Sequence, residues 1–271
     1  MKKTILKMSF KMLMLVVALF GVQLIVESYI ESTSDYEEMV YCPVMGIELY
    51  GDVTTYGTNL DENGGEILST SADDVVWAIE DADLDPNVSA ILLEVDSYGG
   101  SGVAGDEIAT ALKVAEKPTV ALIRDGAASA AYWAATGADY IIASPISDVG
   151  SIGVTGSYLD YTKQNQNDGL TFIELNSGKF KDTGNPDKPL TLEERALWQR
   201  DLDIMHQYFV EQVAANRGLE IDKVKELADG STVMGQMALD NGLIDKLGSR
   251  TDAMQYFINQ GAIEYEDLCW Y

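Results

Sequence analysis

Ser129 is the residue of this sequence with the best setting for a nucleophile. It follows an apolar run, residues 118–123, that predicts a buried strand, and it lies at or near the start of a predicted small-residue helix over 129–136. The start of a helix offers free backbone N–H groups and the positive end of the helix dipole, which suit a developing oxyanion. Tight packing of small residues against a sheet would explain the same segment, so it does not decide the function alone.

A glycine pair ends the preceding predicted strand. Residues 89–95 form a nearly continuous apolar run, and the turn Asp-Ser-Tyr-Gly-Gly follows at residues 96–100. Because glycine lets the backbone approach a ligand closely, the N–H groups of Gly99, Gly100 and Ala130 are candidate donors to an oxyanion. Two such turns on neighbouring strands predict an oxyanion hole.

The sequence offers one histidine, His206, as the usual partner of a nucleophilic serine. It lies within a predicted amphipathic helix, beside the apolar stripe, where we expect a structural or surface role. A lysine is the other side chain that can serve as the base, provided that its pKa is lowered by several units from about 10.4. The composition therefore disfavours a serine–histidine triad.

Six short motifs follow one another along the chain: VDSYGGS at 95–101, GAASAAYW at 126–133, ADYIIASP at 138–145, GSIGV at 150–154, SGKFKD at 177–182, and ADG at 228–230 followed by Gly235, Ala238 and GLID at 242–245. In this order they resemble the signal peptide peptidase A family of serine peptidases, from about residue 44 to about residue 248. The resemblance implies an α/β fold like that of the Clp protease and crotonase. It also implies a Ser-Lys dyad formed by Ser129 and Lys181.

Two positions near the implied lysine allow more than one interpretation. Lys179 lies two residues before Lys181, but the family's lysine precedes an aspartate and a downstream proline, here Asp182 and Pro186, which favours Lys181. Ser151, in the GSIGV motif, either orients the lysine or satisfies a turn.

The sequence departs from the family's pattern close to the nucleophile. Tyr98 replaces the usual proline before the paired glycines, and Ala130 and Ala131 replace the glycines that usually follow the serine. Backbone donors survive these changes, whereas two extra Cβ atoms narrow the cleft and bear on substrate size and activity.

The elements that must position these residues alternate in type. Strands are predicted from residue 44 and over 89–95, 118–123 and 140–143, with helices over 71–81, 102–115 and 129–136 between them. This alternation requires parallel crossovers, so we expect an α/β fold with a parallel-sheet core. From residue 190 the chain is predicted to be mostly helical, beginning at a capping box of Thr191 and Glu194.

The charge of the chain excludes some functions. It has 18 basic and 44 acidic residues and a formal charge of −26, so it repels phosphate backbones and no nucleic-acid partner is expected. No zinc-ligand cluster can be assembled, and no metal or organic cofactor is implied. Two alternative functions stay open: a crotonase-like acyl-thioester enzyme, which the acidity disfavours, and a catalytically inactive membrane scaffold of the same fold.

The N-terminal residues 1–30 differ from the rest. Four lysines precede an apolar run over residues 12–26, which favours an uncleaved membrane anchor over a cleaved secretory signal. Residues 31–43 read as an acidic linker and 44–271 as the peptidase domain, on the exported side. In an oxidising compartment Cys42 and Cys269 can pair, although two unpaired thiols fit equally.

We therefore expect a membrane-anchored serine endopeptidase that hydrolyses signal peptides or other extended apolar peptides. The lysine segment, residues 176–189, has no apolar periodicity and is expected to project from the core, where its lysine would be solvated. Docking against a second copy can supply the desolvation that a basic lysine requires. Because single-domain members of the resembled family form closed rings with shared dyads, a cyclic homo-oligomer is expected.

Overall fold

The computed structural model describes residues 42–57, 64–65 and 67–271. The predicted membrane anchor, residues 1–30, and most of the predicted linker lie outside these residues. Within the described ranges, none of the helices combines the length and the apolar character that crossing a bilayer requires.

The described strands form one sheet. They are β1 (Val44–Thr54), β2 (Ser69–Ser71), β3 (Ala90–Gly100), β4 (Thr119–Ala128), β5 (Tyr140–Ala143), β6 (Asp148–Gly150), β7 (Thr232–Met234), β8 (Lys246–Leu247) and β9 (Leu268–Trp270). The main path runs β2-β1-β3-β4-β5-β8, with β6 beside β4, β7 beside β6 and β9 beside β1. All these pairs are parallel except β6 with β7, as the alternation of predicted strands and helices requires.

Eight helices connect and cover the described strands. They are α1 (Ala72–Leu84), α2 (Gly102–Val114), α3 (Ala130–Ala135), α4 (Thr162–Asn167), α5 (Leu192–Arg217), α6 (Ile221–Leu227), α7 (Gly235–Asn241) and α8 (Arg250–Asn259). The predicted capping box begins α5, where the Thr191 side chain accepts a hydrogen bond from the Glu194 backbone, and Gly218 ends that helix in the left-handed region.

The core lies on both faces of the sheet because the central strands are apolar throughout. In β3, Ile91 and Leu93 belong to the larger cluster, which includes side chains of α1, α2, α3 and α5. The alternate residue Leu92 belongs to a second cluster with Met254 and Phe257 of α8. Burial on both sides explains why residues 89–95 lack the apolar–polar alternation of a half-exposed strand.

Two predicted strands extend further than the apolar pattern indicates. β3 continues through Gly100 and β4 through Ala128, whereas the sequence predicts ends near residues 95 and 123. The register between β1 and β3 shifts between Tyr50 and Asp52, and pairing resumes at Gly99. The predicted glycine turn is therefore the end of a bulged strand, which an apolar pattern does not reveal.

A disulfide joins Cys42 to Cys269, with a Cα–Cα distance of 5.8 Å. It links the start of β1 to β9, whose residues pair with Val44, Met45 and Gly46. The structure thus resolves the alternative left open by the sequence in favour of pairing.

The segment between β6 and α5 is largely exposed and contains only the short helix α4 among its described elements. Several large apolar side chains of this segment face solvent, namely Leu159, Tyr161, Leu170, Phe172, Ile173, Leu175 and Phe180. Residues 169–181 contribute no buried side chain to the core.

Candidate active site

Ser129 occupies a sharp turn between β4 and α3. Its backbone has φ 53° and ψ −126°, a conformation that residues other than glycine rarely adopt. The turn is held by hydrogen bonds from the Ser129 N–H to the Gly150 carbonyl at 2.8 Å and from the Trp133 N–H to the Ser129 carbonyl at 2.9 Å. The Ser129 hydroxyl makes no capping hydrogen bond to the helix, which leaves it available for reaction.

Gly99 lies directly against Ser129, as the pairing of neighbouring strands β3 and β4 predicts. A Cβ atom built on Gly99 would stand 2.8 Å from the Ser129 Cβ and 3.2 Å from the Ala130 nitrogen, and the Gly99 φ is +111°. The position therefore requires glycine for both space and conformation. The structure brings the glycine pair, the serine and the first N–H of α3 together.

The predicted oxyanion donors differ in their hydrogen bonding. The Gly99 N–H donates to the Ser97 Oγ at 3.1 Å, and that buried hydroxyl donates to the Gly51 carbonyl. Ala130 is the first residue of α3, where backbone N–H groups have no acceptor within the helix. The Gly99 N–H therefore has an acceptor within the protein, whereas the Ala130 N–H has none within its helix, and Gly99 also lies against the serine.

A cleft of about 970 Å³ opens at Ser129. The start of α2, the first turn of α3, the loop after β6, one face of α5 and residues 228–230 form its walls. His206 of α5 also lines this cleft, and its Nε2 lies 3.1 Å from the carbonyl oxygen of Ala228. No hydrogen bond between His206 and Ser129 occurs among the described residues.

Ser151 lines the same cleft and lies in a left-handed conformation, with φ 51°. Its hydroxyl donates to the Gly230 carbonyl at 2.9 Å, and its N–H donates to the Ser231 carbonyl at 3.0 Å. These bonds satisfy a turn, while the Ser151 Oγ keeps lone pairs that can accept a hydrogen bond from an ammonium group. Both predicted roles are compatible with this geometry.

The lysines of the family-like segment have different surroundings. Lys179 forms an ion pair with Glu193 at 2.7 Å. The Lys181 side chain is exposed, lies outside the residues that line the cleft, and has no ion pair or hydrogen bond within the described part of the chain. Between these two lysines, Lys181 is the one whose amine is uncommitted.

Lys188 has a different setting, which the sequence did not single out. Its Nζ lies 3.0 Å from Glu174, 3.2 Å from Glu194 and 3.7 Å from Asp182. The hydrogen bond that it donates to Glu174 is the main cause of a raised Lys188 pKa, which outweighs the effect of burial. A lysine held protonated in this way is a poor base, so Lys188 anchors the segment to the start of α5.

Several cleft residues were not predicted from the sequence. Trp133, Tyr208 and Phe209 form an aromatic group in the wall, with Trp133 stacked on Phe209 at a ring distance of 4.6 Å. Asp106 and Asp203 lie on the helices that face this group. Residue type gives no signal for them, because their proximity arises only when α5 crosses the starts of α2 and α3.

Among the described residues, no group of three or more histidine, cysteine, aspartate or glutamate side chains is arranged to hold a metal ion.

The fold has a counterpart among solved structures. A variant of ClpP1 from Listeria monocytogenes superimposes with a TM-score of 0.50, covering 77% of this chain and 94% of that one, at 14% sequence identity. This similarity concerns the fold, and it confirms the Clp protease-like architecture expected from the sequence.

Several sequence relatives are proteases by name. A predicted protease of Synechocystis sp. is 36% identical over 194 residues, which are 71% of this chain and 70% of that protein. A predicted signal peptide peptidase of Enterococcus faecium is 35% identical over 173 residues, 63% of this chain and 50% of the relative. The chain therefore spans between half and about two thirds of these relatives.

The family model of peptidase family S49 matches residues 111–262, a range that contains Ser129, the loop after β6 and the lysine segment. The match covers more than half of the chain and the cleft residues from Ser129 onward, whereas Gly99, Gly100 and the start of α2 precede it. This chain, in which a strained serine meets a glycine-lined strand end, belongs to peptidase family S49.

Proposed function

We propose that this chain is a serine endopeptidase in which Ser129 is the nucleophile and Lys181 the general base. The observation that carries the proposal is the placement of Ser129 in a strained turn, against Gly99 and at the mouth of an open cleft. Membership of peptidase family S49 supports the reaction type.

In the proposed reaction, the Ser129 Oγ attacks the carbonyl carbon of the scissile peptide bond. Neutral Lys181 takes the hydroxyl proton and later gives it to the leaving amine. The N–H groups of Gly100 and Ala130, with Gly99 beside them, hold the oxyanion, and water then hydrolyses the acyl-enzyme. Ser151 lies on the cleft wall, where its Oγ can accept a hydrogen bond from the lysine.

An exposed lysine can act as the general base only after its surroundings change, because solvation keeps an amine protonated at neutral pH. We propose that a second copy of the chain covers the lysine segment. The exposed apolar side chains of that segment, such as Phe172, Ile173 and Leu175, are the kind of surface that a neighbour buries. A cyclic homo-oligomer would present Lys181 of one subunit to Ser129 of the next.

A fluorophosphonate probe and synthetic signal peptides test the nucleophile directly. The proposal expects labelling and cleavage by the wild type, and neither by Ser129→Ala. Lys181→Ala should lose cleavage, whereas Lys179→Ala, the matched control two residues away, should retain it. Equal turnover by the wild type and Ser129→Ala would remove Ser129 from the mechanism, and a wild type that is neither labelled nor able to cleave would favour an inactive scaffold.

Subunit mixing tests the shared dyad. Ser129→Ala and Lys181→Ala subunits that are unfolded and refolded together should regain part of the activity, because some interfaces then combine an intact serine with an intact lysine. Mixed oligomers that form and stay inactive would place the dyad within one chain.

Membrane anchoring, an exported catalytic domain and signal peptide substrates are part of the same proposal. The basic and apolar residues 1–30 support the anchor, and the name of the Enterococcus faecium relative supports the substrate. The Cys42–Cys269 disulfide supports an oxidising compartment. Protease added to intact spheroplasts should digest the catalytic domain, and protection until lysis would place it in the cytoplasm.

A further inference from the structure

The cleft at Ser129 contains carboxylates that have no basic side chain beside them among the described residues. Asp106, Asp203 and Asp229 line it, and its described lining contains no lysine or arginine. None of these three carboxylates belongs to an ion pair within the described ranges. Elsewhere in the fold, buried or half-buried acids such as Glu94 and Asp245 do have arginine partners.

Neutral groups hold two of these carboxylates in place. Asp106 accepts a hydrogen bond from the Tyr208 hydroxyl at 3.3 Å, which links α2 to α5. Asp203 accepts one from the Gln199 side-chain amide at 2.7 Å, one turn earlier on α5. Both carboxylates are thus positioned by neutral donors, without a cationic partner among the described residues, and they keep free lone pairs.

The third carboxylate, Asp229, is ionised at neutral pH. Hydrogen bonds from the Ser231 hydroxyl and backbone hold the Asp229 pKa below its ordinary range. Asp229 therefore adds a negative charge to the cleft across the pH range in which a lysine base would act.

An aromatic wall stands beside the carboxylates. Trp133 lies one helical turn after Ser129, stacks on Phe209 and contacts Tyr208 at a ring distance of 5.6 Å. Trp133 is 5% exposed, and its indole N–H has no hydrogen-bond acceptor among the described residues. A buried donor without a partner in a cleft wall is an independent sign that an acceptor, such as a peptide carbonyl, completes this site.

We propose that Asp106 and Asp203 are specificity-determining residues that select peptides carrying a lysine or arginine side chain near the scissile bond. The inference rests on the proposed function and names its substrate class. A basic side chain can lay its aliphatic stem along Val103 and Leu202 and place its charge between the carboxylates and the aromatic wall. A purely apolar side chain would cover the same carboxylates without compensating their charge, which is unfavourable.

Cleavage mapping gives the first measurement. The wild-type protein is incubated with a mixture of peptides of known sequence, and mass spectrometry of the products identifies residues enriched on either side of the cleaved bonds. At the position with the strongest preference, two peptides that differ only in arginine or norleucine are compared. We expect the arginine peptide to have a kcat/KM about tenfold higher at low ionic strength, with the ratio falling as salt is added.

Charge-neutral variants give the second measurement. Asp106→Asn and Asp203→Asn keep the side-chain shape and an acceptor oxygen, so the bond from Tyr208 can persist. The double variant should bring the arginine-to-norleucine ratio to about one, and each single variant should lower it in part. Asp222→Asn on α6, whose side chain is 92% exposed, makes the same charge change outside the cleft and should leave the ratio unchanged.

Each outcome has a defined meaning. A wild-type ratio of one or less, or a ratio that the Asp106 and Asp203 variants do not change, overturns the inference while peptide hydrolysis itself still stands. If the wild type cleaves no peptide faster than Ser129→Ala does, the proposed function is overturned, and the inference with it.

Discussion

Replacement of Gly99 by alanine should inactivate the site while leaving the fold intact. The new Cβ would stand 2.8 Å from the Ser129 Cβ. Carbon atoms pack comfortably at about 3.5 Å, so one of the two strand ends must move by about 0.7 Å. Catalytic groups tolerate displacements of about 0.5 Å, and a misplacement of about 1 Å costs about 10² in rate. We therefore expect a loss of this size for Gly99→Ala.

The conformational cost of the substitution needs a separate control. Gly99 has φ +111°, and an alanine there carries backbone strain as well as the contact with Ser129. Gly261 has φ +72°, and no atom lies within 4 Å of the position that a Cβ would occupy there, so Gly261→Ala carries the strain of a left-handed residue alone. That control should lose about 1–2 kcal/mol of stability and no activity.

The assay combines peptide hydrolysis, labelling by the fluorophosphonate probe and thermal unfolding, and Ser129→Ala gives the background rate. Gly99→Ala should unfold cooperatively, with a melting temperature near that of Gly261→Ala, while its kcat falls toward the background rate. A folded Gly99→Ala protein with kcat within threefold of the wild type would show that the contact between Gly99 and Ser129 does not fix the position of the serine side chain.

Further predictions concern stability. Arg217→Leu leaves Asp245 without its partner at 2.7 Å and should cost about 2–3 kcal/mol, below the value for a fully buried pair because Asp245 is 27% exposed; denaturant titration measures it. Reduction of the Cys42–Cys269 disulfide, which closes a separation of 227 residues, should lower the free energy of unfolding by about 2–5 kcal/mol without a change in the far-UV spectrum of the native state. Burial alone would raise the Glu94 pKa, but hydrogen bonds from Tyr50 and Arg250 and the charge of Arg124 hold it below its ordinary value. This contribution to stability is present above about pH 4.3 and is lost as the pH falls through the lowered pKa, so the melting temperature of the wild type should approach that of Glu94→Gln in acid and exceed it at pH 7.

Much of the fold follows from the sequence, because burial of both faces of a parallel sheet leaves a mark on composition. The apolar runs of β3, β4 and β5 and the capped helices α1 and α5 lie where the pattern predicts them. The pattern understates β3 and β4, which continue to Gly100 and Ala128. Their last residues pair through backbone groups around glycine and alanine, and side-chain hydropathy carries no information about such pairing.

The approach of Ser129 to the glycine pair was also within reach of the sequence. Ser129 follows a buried strand and begins a helix, and the Gly99–Gly100 pair ends the neighbouring strand, so sheet topology alone brings them to one edge. Local chemistry and the alternation of strands and helices are properties of short segments, which a sequence displays directly. The lysine assignment rests on the family resemblance, and the Lys181 and Lys179 variants test it.

Only the tertiary structure decided how the cleft is walled and charged. Asp106 and Tyr208 are separated by about a hundred residues and meet because α5 crosses the start of α2, which no local pattern specifies. The pairing of Cys42 with Cys269 depends likewise on β9 lying beside the start of β1. Residue types and periodicities determine which elements form and which groups can react, whereas contacts between distant elements depend on the packing of the whole chain and become visible only in three dimensions.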